Sequence, residues 1–292
     1  MEGTWGADFH LALTPQKDDL VVRKCTYNAF FGTDLDQVVR QRKIRRMAFC
    51  GTVSNICVLN TAGDAALRGI KAIMPQDAII SLSEFDHQGT LRQACSVYRA
   101  DVTTVEHAFA EEMPLVELKT DAEPPHVEVE RELSLPASRT ALVVVDMQND
   151  FAADGGALYV PETRGTLRPI AGLVRAARQA RATVIFTQDW HRPDDREFRI
   201  WPRHCVEGTF GAEVVKELEP APADLYVRKR TFDAFFGTDL DILLQQCEIE
   251  HVVLAGTVAN ICVLHTAGKA RLNGYNVVVA EDGISSLLSL IH

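Results

Sequence analysis

The sequence lacks any apolar run that approaches the roughly 18–20 residues needed to cross a bilayer. Basic residues are also in the minority, since 30 Lys and Arg stand against 40 Asp and Glu and leave a net charge of −10 at pH 7. An acidic surface disfavours nucleic acid and anionic membranes as partners. The first ten residues, MEGTWGADFH, contain no basic stretch followed by an apolar core, so we expect no secretory signal peptide.

Disulfide and nucleotide-binding patterns are missing as well. The seven cysteines are an odd number without the spacing of a disulfide framework, so we expect reduced thiols and a cytoplasmic protein. No P-loop, G-x-G-x-x-G or G-x-S-x-G motif occurs. A nucleotide cofactor and serine esterase chemistry therefore have no support in the sequence.

What the sequence does contain is a duplication. Residues 29–36 and 234–241 both read AFFGTDLD, and GTVSNICVLNTAG at 51–63 returns as GTVANICVLHTAG at 256–268. The offset is 205 (234 − 29) in both cases. Solenoid repeats have periods of about 20–50 residues, so this offset indicates a duplicated domain.

The duplication predicts two unequal domains. We expect residues 1–118 to form a partial copy and residues 119–139, which are rich in Pro and Glu, to form a linker. Residues 140–292 then form the fuller domain, because the segment between 140 and 206 occurs only there. Each copy has a Lys and a Cys at matching positions, and the copies differ in what surrounds them.

Continuous apolar runs end in polar residues at 141–146 (ALVVVD), 183–189 (TVIFTQD) and 251–257 (HVVLAGT). Such runs are typical of parallel strands buried on both faces, and helical patterns lie between them. The sequence therefore predicts an α/β fold with a parallel sheet. Ligands of such sheets bind beyond the carboxyl ends of the strands, which is where Asp146 and Asp189 lie.

Three residues near predicted strand ends suit thiol chemistry, and one of them, Lys229, ends the short strand DLYVRK (224–229). Cys262 follows Asn260, a predicted N-cap, and the first turn of a helix lowers a thiol pKa and can hold an oxyanion. Asp146 could take the thiol proton, and Lys229 could stabilise the developing charge. Singly, each residue has an ordinary structural explanation, such as a buried, inert cysteine. The combination favours a catalytic site.

Asp189, His191 and His204 form a second group with possible chemistry. A carboxylate and two imidazoles suit Zn²⁺, Fe²⁺ or Mn²⁺, with positions left open for water or substrate. Their spacing is not diagnostic, because no H-E-x-x-H motif is present. The alternative, in which His204 is an ordinary surface residue, stays open at this point.

Taken together, these segments resemble the isochorismatase-like cysteine hydrolases, and within them the nicotinamidase group. The matching motifs are VVVDMQNDF (143–151), GGALYVP (155–161), TQDWH (187–191), WPRHCVEGTFGAE (201–213), VRKRTFDAFFGTDLD (227–241) and GTVANICVLHTA (256–267). The resemblance implies a three-layer, Rossmann-like parallel sheet in the order 3-2-1-4-5-6, flanked by helices.

The resemblance also implies roles for particular residues. The implied catalytic triad is Asp146, Lys229 and Cys262, and the implied metal ligands are Asp189, His191 and His204. The implied oxyanion hole is formed by the N–H groups of Ala259 and Cys262, beside a cis Val258–Ala259 bond. The implied walls for the substrate ring are Phe151, Trp201 and Phe232. In the first copy, Lys24 and Cys57 are the equivalents of Lys229 and Cys262.

The implied reaction is hydrolysis of nicotinamide to nicotinate and ammonia, a step of NAD salvage, through a thioester and with the help of a divalent metal such as zinc. A related amidase of another small amide is the alternative, because residues 192–203 lack the extra His or Ser of many nicotinamidases. A catalytically impaired scaffold, or a fragment of a tandem-domain protein, is a further alternative. The presence of Cys262 argues against the vinyl-ether hydrolysis of true isochorismatases.

The family's strand order also raises a question of assembly. Residues 140–292 would supply strands 1 to 5 without the last helix and edge strand, and residues 2–118 would supply strands 3 to 6 without strands 1 and 2. Residues 88–118 could complete the second copy's sheet, or residues 2–118 could complete 140–206 as a circular permutant. Strand swapping between chains and a homo-oligomer are further options.

Overall fold

The structure is a computed structural model that describes residues 3–110 and 132–286, together with positions 114, 116, 118, 124, 129 and 130. Most of the predicted linker, 119–139, therefore lies outside the described residues. Among the residues that are described, no helix has both the length and the apolar character that a membrane span requires.

The first copy forms a small parallel sheet. Its strands are β1 (Arg46–Ala48), β2 (Gly51–Thr52), β3 (Lys71–Pro75), β4 (Ile79–Ile80) and β5 (Asp101–Thr103). Its helices are α1 (Leu35–Gln41), α2 (Leu59–Leu67) and α3 (Glu84–Ser96). The strand order is β1-β3-β5, and β2 pairs separately with β4. Residues 19–24 form no strand, so the expectation that this copy supplies a third strand of the family order was wrong.

The second copy forms a five-stranded parallel sheet. Its strands are β6 (Thr140–Val145), β7 (Thr183–Asp189), β8 (Leu225–Lys229), β9 (His251–Thr257) and β10 (Asn276–Ser285). Its helices are α4 (Asn149–Ala152), α5 (Thr163–Gln179), α6 (Leu240–Gln246) and α7 (Leu264–Leu272). The order β10-β9-β6-β7-β8 confirms the predicted order for strands 1 to 5. Every residue of the central strand β6 is buried, as its continuous apolar run predicted.

Each copy uses its own strands. The central strand β6 pairs with β9 of the same copy over residues 140–145, so the circular permutant was wrong. The strand β5 pairs with β3, so the idea that this segment completes the sheet of the second copy was also wrong. The two copies are joined through helices instead of through a shared sheet.

Equivalent helices, α2 and α7, contact each other where the two copies meet. A Cβ added to Gly63 would lie 3.2 Å from the ring of His265, and one added to Gly268 would lie 3.4 Å from the side-chain oxygen of Asn60. The offset of 205 relates Gly63 to Gly268 and Asn60 to His265. The same contact therefore occurs twice, as in an isologous interface around a pseudo-two-fold axis.

Unlike charges face each other at this interface. Asp64 and Lys269 occupy the same position in the two copies, and Lys269 Nζ lies 3.1 Å from Asp64 Oδ2. Their side chains are only 7% and 14% exposed. Two identical copies would place two like charges here, so this pair favours the association of the first copy with the second.

Reversing either charge should destabilise the chain. We expect Asp64→Lys or Lys269→Asp to lower the free energy of unfolding by about 2 kcal/mol, because two like charges would then face each other away from water. The double variant should recover only part of that loss in urea unfolding, because Arg68, which also pairs with Asp64, keeps its charge. Losses that simply add in the double variant would show that the two residues are not coupled.

Candidate active site

The carboxyl ends of three adjacent strands bring charged side chains together below the protein surface. Asp146 follows β6, Asp189 ends β7 and Lys229 ends β8. Lys229 Nζ lies 2.7 Å from Asp146 Oδ2 and 2.5 Å from Asp189 Oδ1. All three side chains are buried. The structure thus gathers both carboxylates that the sequence placed at strand ends around one cation.

The backbone around Asp146 is specialised. Asp146 has a φ of 50°, which is uncommon for a residue with a Cβ and often marks a functional constraint. Thr187 Oγ1 donates to Asp146 Oδ1 at 2.7 Å and orients the carboxylate. On the neighbouring strand, a Cβ at Gly256 would lie 2.1 Å from the Val145 carbonyl oxygen, so only glycine allows β9 to approach so closely.

Cys262 lies in a π-helical turn, Ala259–Val263, between β9 and α7. Its Sγ is 3.8 Å from Lys229 Nζ, and its side chain is buried. The residue that caps this turn is Val258, and not Asn260 as predicted. The cis bond is Thr257–Val258, one residue earlier than the expected Val258–Ala259. Ala259 and Cys262, the predicted oxyanion hole, are the first and fourth residues of the turn.

Burial and charge pairing set the protonation of the cluster. Burial raises the pKa of the Cys262 thiol well above its usual value, against the opposing effect of Lys229. Burial likewise raises the pKa of Asp146. Burial also acts on Asp189, but Lys229 and the two histidines outweigh it and hold the pKa of Asp189 well below its usual range. The resting site thus combines a neutral thiol with a carboxylate that can take up its proton.

The first copy repeats only part of this arrangement. Lys24 Nζ lies 3.9 Å from Cys57 Sγ, almost the same distance as in the second copy. Lys24 also donates to the Thr26 carbonyl, as Lys229 does to that of Thr231. Lys24 is exposed, however, and makes no ion pair with a carboxylate of the described residues. The Lys and Cys alone therefore do not make a second site.

Asp189, His191 and His204 meet beside the Lys229 cluster. Asp189 Oδ2 lies 3.8 Å from His191 Nε2 and 3.7 Å from His204 Nε2. His204 Nδ1 donates to the Pro202 carbonyl at 2.7 Å, which directs Nε2 towards Asp189. The same carboxylate thus contacts Lys229 through one oxygen and the histidines through the other.

These three residues fit a divalent metal ion. Bonds of about 2.0–2.2 Å in a tetrahedral site separate the ligand atoms by roughly 3.3–3.6 Å, close to the separations seen here. His191 Nε2 is buried and makes no hydrogen bond among the described residues, whereas Nδ1 lies 3.3 Å from Asp195 Oδ2, which can orient the ring. A buried ring nitrogen without a partner is expensive, and a bound metal ion would satisfy it.

Glu197 is a candidate residue of this site that the sequence analysis did not name. It lies on a short turn, Arg196–Arg199, and its Oε2 is 4.0 Å from His191 Nε2. Burial, and then the charge of Asp189, raise the pKa of Glu197 to about 7. The signal available in the sequence was its position between the two predicted histidine ligands. The distance between Glu197 and His191, however, depends on how the loop between His191 and His204 folds.

A cavity opens beside Cys262. It is narrow, with a volume of about 40 Å³ open to the centre of a water-sized sphere, and it is continuous with the solvent. The three predicted aromatic residues all line it, and the full lining is Phe151, Leu158, Val160, Asp189, Glu197, Trp201, His204, Phe232, Val258, Ile261 and Cys262. Seven of these eleven side chains are apolar, and no Arg or Lys occurs in this lining.

Comparisons with known proteins agree on one family. A sequence model described as the isochorismatase domain matches residues 1–107 and 140–289. A ureidoacrylate amidohydrolase from Variovorax paradoxus is 32% identical over 181 residues, which are 53% of this chain and 72% of that protein. An isochorismatase family protein from Bacillus subtilis is 33% identical over 159 residues, which are 51% of this chain and 87% of that protein.

A solved structure is similar as well. The crystal structure of an isochorismatase-like hydrolase from Alkaliphilus metalliredigens aligns with a TM-score of 0.50 at 34% identity. The alignment covers 51% of this chain and 83% of that chain. A relative with one copy of the domain is expected to align with about half of a chain that has two copies, as it does here.

Proposed function

The chain belongs to the isochorismatase family and is a hydrolase of amide carbon–nitrogen bonds, and from this premise we propose that it converts nicotinamide to nicotinate and ammonia. The observation that carries the proposal is the cavity beside Cys262. It is narrow and aromatic, and its lining contains no Arg or Lys. A flat, uncharged aromatic amide suits such walls, whereas a substrate carboxylate would meet Glu197 and no Arg or Lys of the lining.

Asp189, His191 and His204 would hold a divalent metal ion, with zinc as the first candidate. When bound, the ion would act as a Lewis acid that orients a ring nitrogen of the substrate. Phe151, Trp201 and His204 lie on the same cavity. The chain's own contribution is to hold the ring so that the carboxamide faces Cys262.

The proposed chemistry is acyl transfer through the triad. Asp146 takes the thiol proton of Cys262, and the charge of Lys229 stabilises the thiolate as it forms. The sulfur attacks the amide carbonyl, and the N–H groups of Ala259 and Cys262 hold the oxyanion. Asp146 returns the proton to the departing ammonia, so a thioester remains.

The thioester is then hydrolysed. Asp146 accepts a proton from a water molecule, the resulting hydroxide attacks the thioester carbonyl, and the acid leaves as the Cys262 thiol is restored. Both half-reactions use the same carboxylate, first as base and then as acid. A raised pKa at Asp146 suits the first role, because it makes the carboxylate a stronger base towards the thiol, and the acid form can still protonate the departing amine.

A ureido acid is the second candidate substrate, because one relative is a ureidoacrylate amidohydrolase. The two candidates differ in charge, since a ureido acid carries a carboxylate and nicotinamide does not. The lining contains Glu197 and no Arg or Lys, which favours the neutral amide.

Ammonia release by the purified chain tests these candidates. We expect release from nicotinamide, and a kcat/KM for nicotinamide at least about tenfold above that for ureidoacrylate. The reverse ranking would overturn the substrate assignment and keep the amidase. Metal content serves as the control, since about one divalent ion per chain is expected and His204→Ala should lose it. A chain that binds the ion but hydrolyses no amide would be a scaffold.

A further inference from the structure

Phe232, one wall of the cavity, has its outer face against the first copy. The ring of Tyr98 stacks on that of Phe232 with centroids 6.0 Å apart and an angle of 25° between the planes. Tyr98 Oη also forms a 3.0 Å hydrogen bond with His265 Nε2, and the His265 ring lies 4.5 Å from Phe232. Tyr98 is buried, so these contacts are shielded from water.

Trp201, another wall of the cavity, contacts Arg99, the residue that follows Tyr98 in the first copy. Arg99 Nη2 donates to the Ile200 carbonyl at 3.1 Å. The Arg99 guanidinium also lies 5.5 Å from the centre of the Trp201 ring, a cation–π distance. The loop that carries Trp201 thus has an anchor outside its own domain.

A third contact reaches the turn of the nucleophile. Gln93 Nε2 donates to the Asn260 carbonyl at 2.5 Å, two residues before Cys262. Gln93, Tyr98 and Arg99 all belong to the end of α3 and the loop after it. One short segment of the first copy therefore contacts two cavity walls and the nucleophile's turn.

The side chains of Trp201 and Phe232 have space behind them, on the side away from Cys262, so the contacts that hold them matter for the shape of the substrate cavity. A second cavity lies between the copies, and Glu197, Trp201 and Phe232 line both it and the cavity beside Cys262. Val97 lines its far side. Side chains next to empty space lose packing contacts there, so Trp201 and Phe232 are free to retreat into it unless something holds them.

We propose that Tyr98 and Arg99 of the first copy are positioning residues that set the width of the substrate cavity in the second copy, and thereby the size of the acyl group that it accepts. The first copy, which has no site of its own, thus acts on specificity. The identity of the substrate rests on the proposed function, but the placement of the walls does not.

Kinetics with a small and a large amide test the proposal. For Tyr98→Ala and for Arg99→Ala, we expect KM for nicotinamide to rise about tenfold with kcat within about threefold, because binding is loosened and the triad is untouched. The preference for nicotinamide over the bicyclic quinoline-3-carboxamide should fall about tenfold. Tyr98→Phe, which keeps the ring, should restore most of the preference. Arg42→Ala, an exposed arginine of the same copy, is the matched control.

A second measurement needs no substrate. Iodoacetamide and the larger N-benzyliodoacetamide alkylate thiols, and peptide mass spectrometry follows Cys262 with Cys57 as the reference in the same chain. We expect the rate of the larger reagent at Cys262, relative to the smaller, to rise about fivefold in both alanine variants. Arg99 is exposed, so Arg99→Ala should fold even if Tyr98→Ala does not.

The outcomes separate this proposal from the proposed function. A changed labelling ratio in a chain that does not hydrolyse nicotinamide would support the positioning role and overturn the substrate. Hydrolysis of nicotinamide with unchanged KM, preference and labelling ratio in Arg99→Ala and Tyr98→Ala would overturn the positioning role alone. A fall in kcat and melting temperature without any change of preference would also overturn it, since a merely structural role predicts that result.

Discussion

Cys262→Ala is expected to lower kcat for amide hydrolysis by at least about 10⁴-fold, because no other group can form the thioester. Cys57→Ala is expected to leave kcat within about twofold of the unchanged chain. The two cysteines have nearly the same lysine contact, 3.8 Å at Cys262 and 3.9 Å at Cys57. Only Cys262 has Asp146 and the metal-ligand set beside it. Ammonia release under saturating amide measures both variants.

The matched pair makes the test selective. Equal losses in both variants would mean that the first copy also catalyses the reaction. Loss of activity in Cys57→Ala alone would place the active site in the first copy and overturn the assignment of Cys262 as the nucleophile. Residual activity in Cys262→Ala within about a hundredfold of the unchanged chain would mean that water attacks the amide directly and that no thioester forms.

Lys229→Met is expected to destabilise the chain by about 3–5 kcal/mol at pH 7, the range measured when one partner of a buried ion pair is removed. Lys229 is fully buried between Asp146 and Asp189, and its loss leaves two carboxylates without their shared cation. Lys24→Met, at the equivalent exposed position, should cost less than about 0.5 kcal/mol. Urea unfolding in the presence of a chelator measures both without a contribution from a metal.

The deficit of Lys229→Met should depend on pH in a defined direction. The two Asp pKa values rise when the cation is lost, so the folded variant binds a proton that the unfolded chain releases above about pH 4. Its stability relative to the parent therefore improves as the pH falls from 7 towards 5. A deficit that is constant over this range would show that lost packing, and not an unpaired buried charge, is the cause.

Much of the fold follows from local pattern. The apolar runs that end in Asp146 and Asp189 predicted buried parallel strands, and strand ends of a parallel sheet converge on one edge. That argument alone brings both carboxylates and Lys229 close together. The duplication was visible from identical segments and correctly indicated two copies of one domain family. The cis bond was predicted one residue late, and the cap of the Cys262 turn was assigned to Asn260 in place of Val258.

The rest depends on contacts between residues that are distant in the chain. Glu197 approaches His191 only because the intervening loop folds back over the histidines. Tyr98 and Arg99 reach the walls of the cavity only because α2 and α7 pack around a pseudo-two-fold axis. No local sequence pattern encodes that packing, because its energy comes from contacts between two surfaces whose residues are about 205 positions apart in the chain.

The sequence by itself determined the duplicated α/β domains and placed the candidate triad and Asp189 near strand ends, because these depend on residue type and local pattern. The aromatic residues of the cavity were predicted only from the resemblance to a family. Only the tertiary structure decided that each copy builds its own sheet and that the first copy contacts the cavity walls of the second. These outcomes depend on which of several compatible strand and helix pairings buries the most surface, and that choice is a property of the whole chain.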